Sequence, residues 1–413
     1  MIKTASKKLT NFQKNFIESN ERCQFAVEVS KPDLIPKIIR NLEHYILGFH
    51  LKLEDDKLIY HNDKIPVYSF PKNIKNTKDA CNFVDSINYD FKDTFSVIAA
   101  NENIVSISVS HLICDGGFFI DIFDKLLLDE PYHMKSIFPI TTSDTFKQEL
   151  LKVTRKDIIK HQKTNKELTS LRWSTNYKEL QKEVNNDTKC KYIAYEMPAK
   201  ESQLFKSKMN LTDLYMTSLS LSFMSLNGRL DSNFGISTCV DLRQFLPKGA
   251  KNPSNTQNTS EFGVIANNVN YKMTIRELAK LYRNDLTTPF VAYQSLFDDG
   301  YSYESENRSF ALLSNIGRFK NEKSDQITDM WVQQTMPAKG TETVVGLLAF
   351  SKEKYGENTL VYRLQQPCSV ISDDDAELLM KSITYLMKEV PPDVSIQDAF
   401  DELRRFQSKI QKK

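Results

Sequence analysis

The segment 104–128 has the clearest pattern of apolar and polar residues in the chain. Residues 105–110 alternate valine or isoleucine with serine, the period-2 pattern of a β-strand that packs on one side. His111 continues the apolar phase of this strand. Asp115 and the two glycines that follow it predict a turn, and apolar residues then return at helical spacing. The pattern predicts a strand that carries a histidine into the interior at a turn before a helix.

The rest of the chain alternates segments of strand-like and helix-like pattern. In the first half, the predicted strands are 24–29, 51–53, 57–60 and a pair within 95–110, and the predicted helices are 32–47 and 79–89. In the second half, the predicted strands are 190–197, 233–240, 264–270, 310–315, 343–350 and 359–365, with a helix at 200–209 and a closing helix at 374–388. A further helix begins at Leu211, with Thr212 as its N-cap, and is apolar on most faces, so we expect it to be buried.

These patterns predict two α/β halves. The segment 147–189 is rich in lysine, glutamate, threonine and asparagine, as in a crossover between halves. We therefore expect an N-terminal lobe at 1–175 and a C-terminal lobe at 176–413. Residues 248–261 hold almost nothing to bury and predict a mobile surface loop.

Composition and charge narrow the class of protein. The 413 residues are 40% hydrophobic, and 55 Lys+Arg against 53 Asp+Glu give a formal charge of +2, so nucleic acid is not an expected partner. The N-terminus lacks the apolar core of a secretory signal and the apolar window 214–226 is too short to span a bilayer. We expect a cytoplasmic monomer with no transmembrane segment, and leave peripheral membrane contact open.

The cysteines and most histidines show no metal-binding pattern. The six cysteines are scattered singly, without the paired spacing of a zinc site, and are expected to be reduced thiols. The five histidines other than His111 share no ligand spacing. We therefore expect neither a metal nor a permanently bound cofactor.

His111, Asp115 and Gly116 form the motif His-x-x-x-Asp-Gly. A lone histidine after a strand is commonly structural, but the added Asp-Gly makes a chance match rare. A neutral imidazole, with an ordinary pKa near 6.5, can take a proton from a hydroxyl or an amine. His111 is therefore the candidate general base, with a structural core histidine as the alternative.

The motif and two later segments resemble those of the chloramphenicol acetyltransferase-like superfamily of acyltransferases. Ser237-Thr-Cys-Val-Asp-Leu-Arg243 is similar to the strand-end Val-Asp-x-Arg segment of these families, and Leu313-Ser-Asn-Ile-Gly-Arg318 resembles the Ser-Asn-x-Gly strand of the fungal alcohol acetyltransferase branch. Ser110 stands where condensation domains have a first histidine, and the Asp-Phe-Gly-Trp-Gly segment of the plant enzymes is absent. The resemblance implies a two-lobed α/β fold, each lobe a mixed β-sheet with flanking helices, and an active-site tunnel between the lobes.

The resemblance also implies a function. An acyltransferase, most simply an acetyltransferase of secondary metabolism, would move an acyl group from a coenzyme A thioester to an alcohol or amine of a small or lipid-like molecule. Acyl-CoA would be a co-substrate, with His111 as general base and no covalent enzyme intermediate. Two alternatives stay open: a longer-chain or carrier-protein-bound acyl donor, and a non-catalytic binding module on the same fold.

Further residues take roles from the same resemblance. Asp115 is expected to pair with Arg243 and so to fix the turn that aims His111, a structural role for both residues. Gly116 lets the backbone approach a ligand, or merely closes a tight turn. The oxyanion donor would come from Ser314, Asn315 or a nearby backbone amide, with a plain core strand as the alternative.

The last two roles to be considered are those of Cys114 and of the residues that would bind the coenzyme A phosphates. Cys114 lies within the motif, but no second histidine is near it in sequence, so we expect it neither to act as a nucleophile nor to hold the turn. Lysines and arginines are too numerous for one to be chosen as a phosphate ligand, and the segment 248–251 is only a candidate.

Overall fold

Mixed β-sheets flanked by helices make up the described part of this computed structural model. It describes residues 5–131, 136–140, 154, 156, 190–230, 234–241, 259–266, 269–286, 311–322, 325–335, 345–368 and 371–412. In the first half the strands are β1 (Ser6–Lys8), β2 (Arg22–Val29), β3 (Leu51–Glu54), β4 (Lys57–Tyr60), β5 (Val67–Ser69), β6 (Ser96–Ala100) and β7 (Ile104–Ser110). The helices there are α1 (Asn11–Ser19), α2 (Leu34–Tyr45), α3 (Thr77–Ser86) and α4 (Gly116–Lys125).

The second half supplies the remaining elements. Its strands are β8 (Cys190–Pro198), β9 (Phe234–Asp241), β10 (Thr259–Ala266), β11 (Ala311–Phe319), β12 (Ile327–Thr335), β13 (Val345–Lys354) and β14 (Glu357–Pro367). Its helices are α5 (Gln203–Lys206), α6 (Leu211–Leu226), α7 (Ile275–Leu286), α8 (Asp373–Glu389) and α9 (Ile396–Gln411).

The sheet that carries the histidine motif has five strands in the order β12-β2-β7-β6-β5. β12 comes from the second half of the chain and pairs antiparallel with β2, with Thr335 opposite Arg22. β2 in turn pairs with β7, where Arg22 lies opposite Ser110. The predicted boundary between 175 and 176 lies outside the described residues, but a strand from beyond it completes the N-terminal sheet.

β7 is buried on both faces, which differs from the prediction of a strand packed on one side. Ser106, Ser108 and Ser110 are each 0% exposed. The Ser106 hydroxyl donates to the carbonyl of Phe25, 3.1 Å away, and contacts the thiol of Cys81 on α3. A small hydroxyl that finds such acceptors can be buried, so α3 covers the face that the pattern assigned to solvent.

The second sheet has six strands in the order β10-β9-β11-β13-β14-β8. Alternate residues of β13 pack into different hydrophobic cores on the two faces of this sheet. Leu347 and Ala349 pack in a core with α6 and α8, whereas Leu348 and Phe350 pack in the core of the five-stranded sheet. α6 is buried throughout its central turns, as predicted. The six-stranded sheet therefore lies between its own helices and the other lobe.

Four predicted elements need correction. The helix expected at 200–209 is broken into a 3-10 turn, Ala199–Glu201, and the short α5, because the Ser202 side chain accepts from Phe205 N and starts a new helix there. β10 begins at Thr259, within the expected loop, since its whole length pairs with β9. The rest of that loop, 248–258, lies outside the described residues.

The start of α6 and the end of the chain also differ from the prediction. The N-cap of α6 is Asn210 and not Thr212, which lies inside the helix. The helix α8, predicted to close the chain, is followed by α9. The crossover predicted at 147–189 lies outside the described residues, apart from residues 154 and 156.

Candidate functional site

The histidine motif begins at a hydrogen-bonded turn at the end of β7. The Ile113 amide donates to the Ser110 carbonyl, 2.9 Å away, and closes the turn. The His111 amide donates to the carbonyl of Glu21, also at 2.9 Å, just before β2 begins. The backbone of the histidine is thus fixed to the neighbouring strand.

The imidazole of His111 is oriented by its own turn. Its Nδ1 lies 2.7 Å from the carbonyl oxygen of Cys114. Because a carbonyl oxygen can only accept, Nδ1 carries the proton in the neutral ring, and Nε2 keeps its lone pair. The turn therefore selects the tautomer in which Nε2 is the basic atom.

Two elements before the motif supply neighbours that the sequence did not reveal. The Phe16 ring on α1 lies 5.2 Å from the imidazole, centroid to centroid, at an interplanar angle of 35°. Cys23 on β2 lies opposite Val109 in the register of β2 and β7. Nothing in a single sequence connects residues so far apart along the chain.

The charge state of His111 depends on these neighbours. Burial alone lowers the pKa of the imidazole, but negative charge at Cys23 and Glu21 outweighs it and raises the pKa of His111 to about 9. A hydrogen bond with Cys114, together with the charge of His111, lowers the pKa of the Cys23 thiol against the effect of its burial. Positive charge on His111 and negative charge on Cys23 therefore favour each other beside the turn.

Asp115 caps the helix after the turn. Its Oδ1 accepts from the Phe118 amide at 3.0 Å, at the N-terminus of α4, and the residue is 0% exposed. A carboxylate at the N-terminus of a helix also interacts favourably with the helix dipole. The predicted partner, Arg243, lies outside the described residues, so the ion pair stays a prediction.

Gly116 brings α4 against β11. A Cβ atom built on Gly116 would lie 3.0 Å from Cγ1 of Ile316. Ile316 occupies an irregularity of β11, where the register with β13 shifts between Asn315 and Gly317. The structure thus brings the His-x-x-x-Asp-Gly segment and the Ser-Asn-Ile-Gly segment together.

Ser314 and Asn315, the predicted oxyanion residues, lie on β11 beside this contact. Nδ2 of Asn315 donates to the Thr212 hydroxyl at 2.8 Å, and its Oδ1 accepts from the Gly317 amide at 3.1 Å. Thr212, predicted as a helix cap, instead anchors this strand to α6. The side chain of Asn315 therefore fixes the shape of the irregular segment.

Solved structures with the same architecture have very different sequences. The first condensation domain of the CDA synthetase has a TM-score of 0.65 at 10% identity, over 95% of this chain and 98% of that chain. Trichothecene 15-O-acetyltransferase from Fusarium sporotrichioides has a TM-score of 0.64 at 12% identity, over 92% of this chain and 95% of that chain. Polyketide synthase associated protein 5 from Mycobacterium tuberculosis has a TM-score of 0.63 at 11% identity, over 93% and 98%.

The chain has the two-lobed fold of these condensation domains and acetyltransferases. The predicted fold class is therefore confirmed. The likeness does not distinguish the fungal alcohol acetyltransferase branch, since a condensation domain and an acetyltransferase match almost equally well. No family model and no curated protein matches the sequence.

The structure changes the expected part of Cys114. Its carbonyl holds the imidazole, and its thiol donates to the Ser110 carbonyl at 3.5 Å, so the residue does contribute to the turn. Among the described residues, no three histidine, cysteine or acidic side chains are placed to hold a metal ion. No helix in the same part of the chain is long and apolar enough to cross a membrane.

Proposed function

We propose that the protein is an acyl-CoA-dependent acyltransferase, most simply an acetyltransferase, that acylates an alcohol or amine of a small or lipid-like molecule. The observation that carries the proposal is the contact between Nδ1 of His111 and the Cys114 carbonyl. It leaves Nε2 as the base, which is what proton removal from an acceptor requires.

The chemistry needs no covalent enzyme intermediate. As Nε2 takes the proton, the acceptor oxygen or nitrogen attacks the thioester carbonyl and forms a tetrahedral oxyanion. The intermediate collapses by breaking the carbon–sulfur bond, and the imidazolium returns its proton to the coenzyme A sulfur. The products are an ester or amide and free coenzyme A.

Ser314 is the side chain we assign to the oxyanion. The Gly317 amide is already bonded to Asn315, and the Asn315 carboxamide holds both that amide and Thr212. Ser314 lies on the same strand and is partly exposed, so its hydroxyl can donate to a developing negative charge.

A coenzyme A release assay tests the function. Acetyl-CoA and longer acyl-CoA donors are each supplied with a panel of alcohols and amines, and acylated products are identified by mass spectrometry. His111→Ala should lower kcat/KM by about 10² to 10⁴-fold, because positioned general-base catalysis contributes that much. His44→Ala, on the exposed face of α2, is the matched control.

Two results would contradict the proposal. Full activity in a folded His111→Ala variant would exclude the base, and acyl-CoA binding without turnover of any acceptor would favour a binding module. A carrier-protein thioester is included as a third donor, since condensation domains share the fold. Turnover with the carrier-protein thioester alone would show that the protein is an acyltransferase whose acyl donor is not acyl-CoA.

A further inference from the structure

Two buried thiols lie beside the imidazole, and neither has a role in the proposed reaction. Cys23 is 5% exposed and Cys114 is 0% exposed. Cys114 Sγ lies 3.5 Å from the Ser110 carbonyl oxygen and 3.9 Å from that of Val109. Val109 is the residue opposite Cys23 in the pairing of β2 with β7. The Cys114 sulfur, which lies beside the Val109 carbonyl, is therefore next to the strand position that pairs with Cys23.

Chemical differences between the two thiols suggest an order of reaction. The hydrogen bond from Cys114 is the largest influence that lowers the pKa of Cys23, whereas burial raises the pKa of Cys114. The thiolate is the form that reacts with oxidants, and Cys23 is the more exposed of the two buried residues, at 5% against 0%. Cys23 is therefore the first to react, and Cys114 is the neighbour able to resolve the product.

We propose that Cys23 and Cys114 form a peroxide-sensitive modification site that closes to a disulfide beside His111. The Cys23 thiolate attacks an oxygen of hydrogen peroxide, the O–O bond breaks, and the sulfur becomes a sulfenic acid while hydroxide leaves and takes up a proton to become water. The Cys114 thiol then displaces the hydroxyl from that sulfur as a second water. Two electrons pass from the two sulfurs to the peroxide.

The disulfide would act on the imidazole through the turn. Bonding to Cys23 pulls on Cys114, whose carbonyl oxygen holds Nδ1 of His111, and so displaces the imidazole from its working orientation. This consequence for catalysis rests on the proposed acyl transfer, whereas formation of the disulfide does not.

Peptide mapping under non-reducing conditions tests the site. The folded protein is treated with hydrogen peroxide, free thiols are blocked, and the digest is searched for a peptide that joins Cys23 to Cys114. Cys114→Ser should leave Cys23 as a sulfenic acid that dimedone traps, and Cys23→Ser should leave Cys114 a free thiol. Cys81→Ser is the matched control, because Cys81 is a buried thiol whose pKa burial raises, and it should keep the cross-link.

The possible results distinguish failure of the disulfide site from failure of the proposed acyl transfer. A folded protein whose Cys23 and Cys114 stay free while the partly exposed Cys190, Cys239 and Cys368 oxidise would overturn it. A cross-link that leaves coenzyme A release unchanged would overturn its effect on His111. A cross-link in a protein that never releases coenzyme A would support the modification site and contradict the proposed function. Loss of release that dithiothreitol reverses, together with the cross-link, is the expected result.

Discussion

Gly116 and Ile316 are packed so closely that any side chain at position 116 must displace the isoleucine. The Cβ of an alanine there would lie 3.0 Å from Cγ1 and 3.3 Å from both Cβ and Cγ2 of Ile316. The helix α4, which follows the His111 turn, and the irregular part of β11 are therefore positioned by the same contact.

Gly116→Ala should destabilise the protein by about 1 to 3 kcal/mol, the ordinary cost of overpacking, and lower kcat/KM by shifting β11. Gly346→Ala is the matched control, because its Cβ would meet side-chain atoms of Gln365 only at 3.5 Å or more. Thermal melts and acyl-transfer kinetics of both variants measure the difference.

A second substitution tests whether Ile316 is the cause of the loss. Ile316→Ala in the Gly116→Ala background should recover part of the lost activity. Equal behaviour of the two glycine variants would contradict a special contact.

The pH profile should report the neighbours of His111. Because its pKa is raised to about 9, the imidazole is protonated at neutral pH, and the neutral base accumulates only as the pH rises. We expect kcat/KM to increase with pH and to level off above about 9. Cys23→Ser removes the first of the charges that raise the pKa, so its rising limb should move to lower pH.

Cys81→Ser serves as the control for this shift, since Cys81 is not among the groups that raise the pKa of His111. Its profile should coincide with that of the parent protein. A limb near pH 6.5 in the parent, or an unshifted limb in Cys23→Ser, would show that the Cys23 thiolate does not set the charge of the imidazole.

Substitutions at Asp115 separate its two structural roles. Asp115→Asn keeps an oxygen that can accept from the Phe118 amide, since asparagine is a good N-cap, but removes the charge. If the proposed pair with Arg243 exists, Asp115→Asn and Arg243→Ala should each lose about 3 to 5 kcal/mol of unfolding free energy. Denaturant melts measure both, and the double variant should lose less than the sum.

A role for Asp115 as helix cap alone predicts different changes in stability from those of an ion pair with Arg243. If it were the only role of Asp115, Asp115→Ala would lose about 1 kcal/mol, and Asp115→Asn and Arg243→Ala would melt like the parent protein.

The hydrogen bond between Asn315 and Thr212 predicts coupling between β11 and α6. Asn315→Ala removes both of its side-chain bonds, each with a net value of about 0.5 to 1.5 kcal/mol, whereas Thr212→Val removes one. The double variant should be less destabilised than the sum of the two, by about 0.5 kcal/mol or more. Strict additivity in equilibrium melts would contradict the coupling.

Ser314→Ala tests the oxyanion assignment. Loss of one such donor should lower kcat by about 10² to 10³-fold with little effect on KM or on the melting temperature. Thr212→Val is the control, because it disturbs the same strand without removing the Ser314 hydroxyl. A kcat loss of equal size in both variants would indicate displacement of the strand rather than loss of a donor.

The strand, the His111 turn and the helix after it could be predicted because their signal in the sequence is local. The alternation of 105–110, the glycines after Asp115 and the helical spacing beyond them all lie within one short segment. Phe16 lies on α1, Cys23 lies on β2 and Glu21 lies between these elements. The pairing of β2 with β7 brings this part of the chain to His111. A single sequence contains no record of such pairing.

Two missed elements have different causes. α9 has apolar residues at helical spacing, with Ile396, Ala399, Phe400 and Leu403 buried, so its sequence does contain the pattern of an amphipathic helix. β12 mixes apolar and polar residues without strict alternation, because it lies at the edge of one sheet and against the other lobe. Its membership of the N-terminal sheet depends on tertiary contacts that no local pattern shows.

The position of β12 affects how the chain can be synthesised. β2, at Arg22–Val29, is made early, but its outer neighbour β12 ends only at Thr335 of 413 residues. Until β12 has left the ribosome, β2 presents an unpaired edge to other nascent chains. Fragments that end before residue 327 should therefore aggregate, and the histidine that begins this site should reach its working geometry only after β12 has been synthesised.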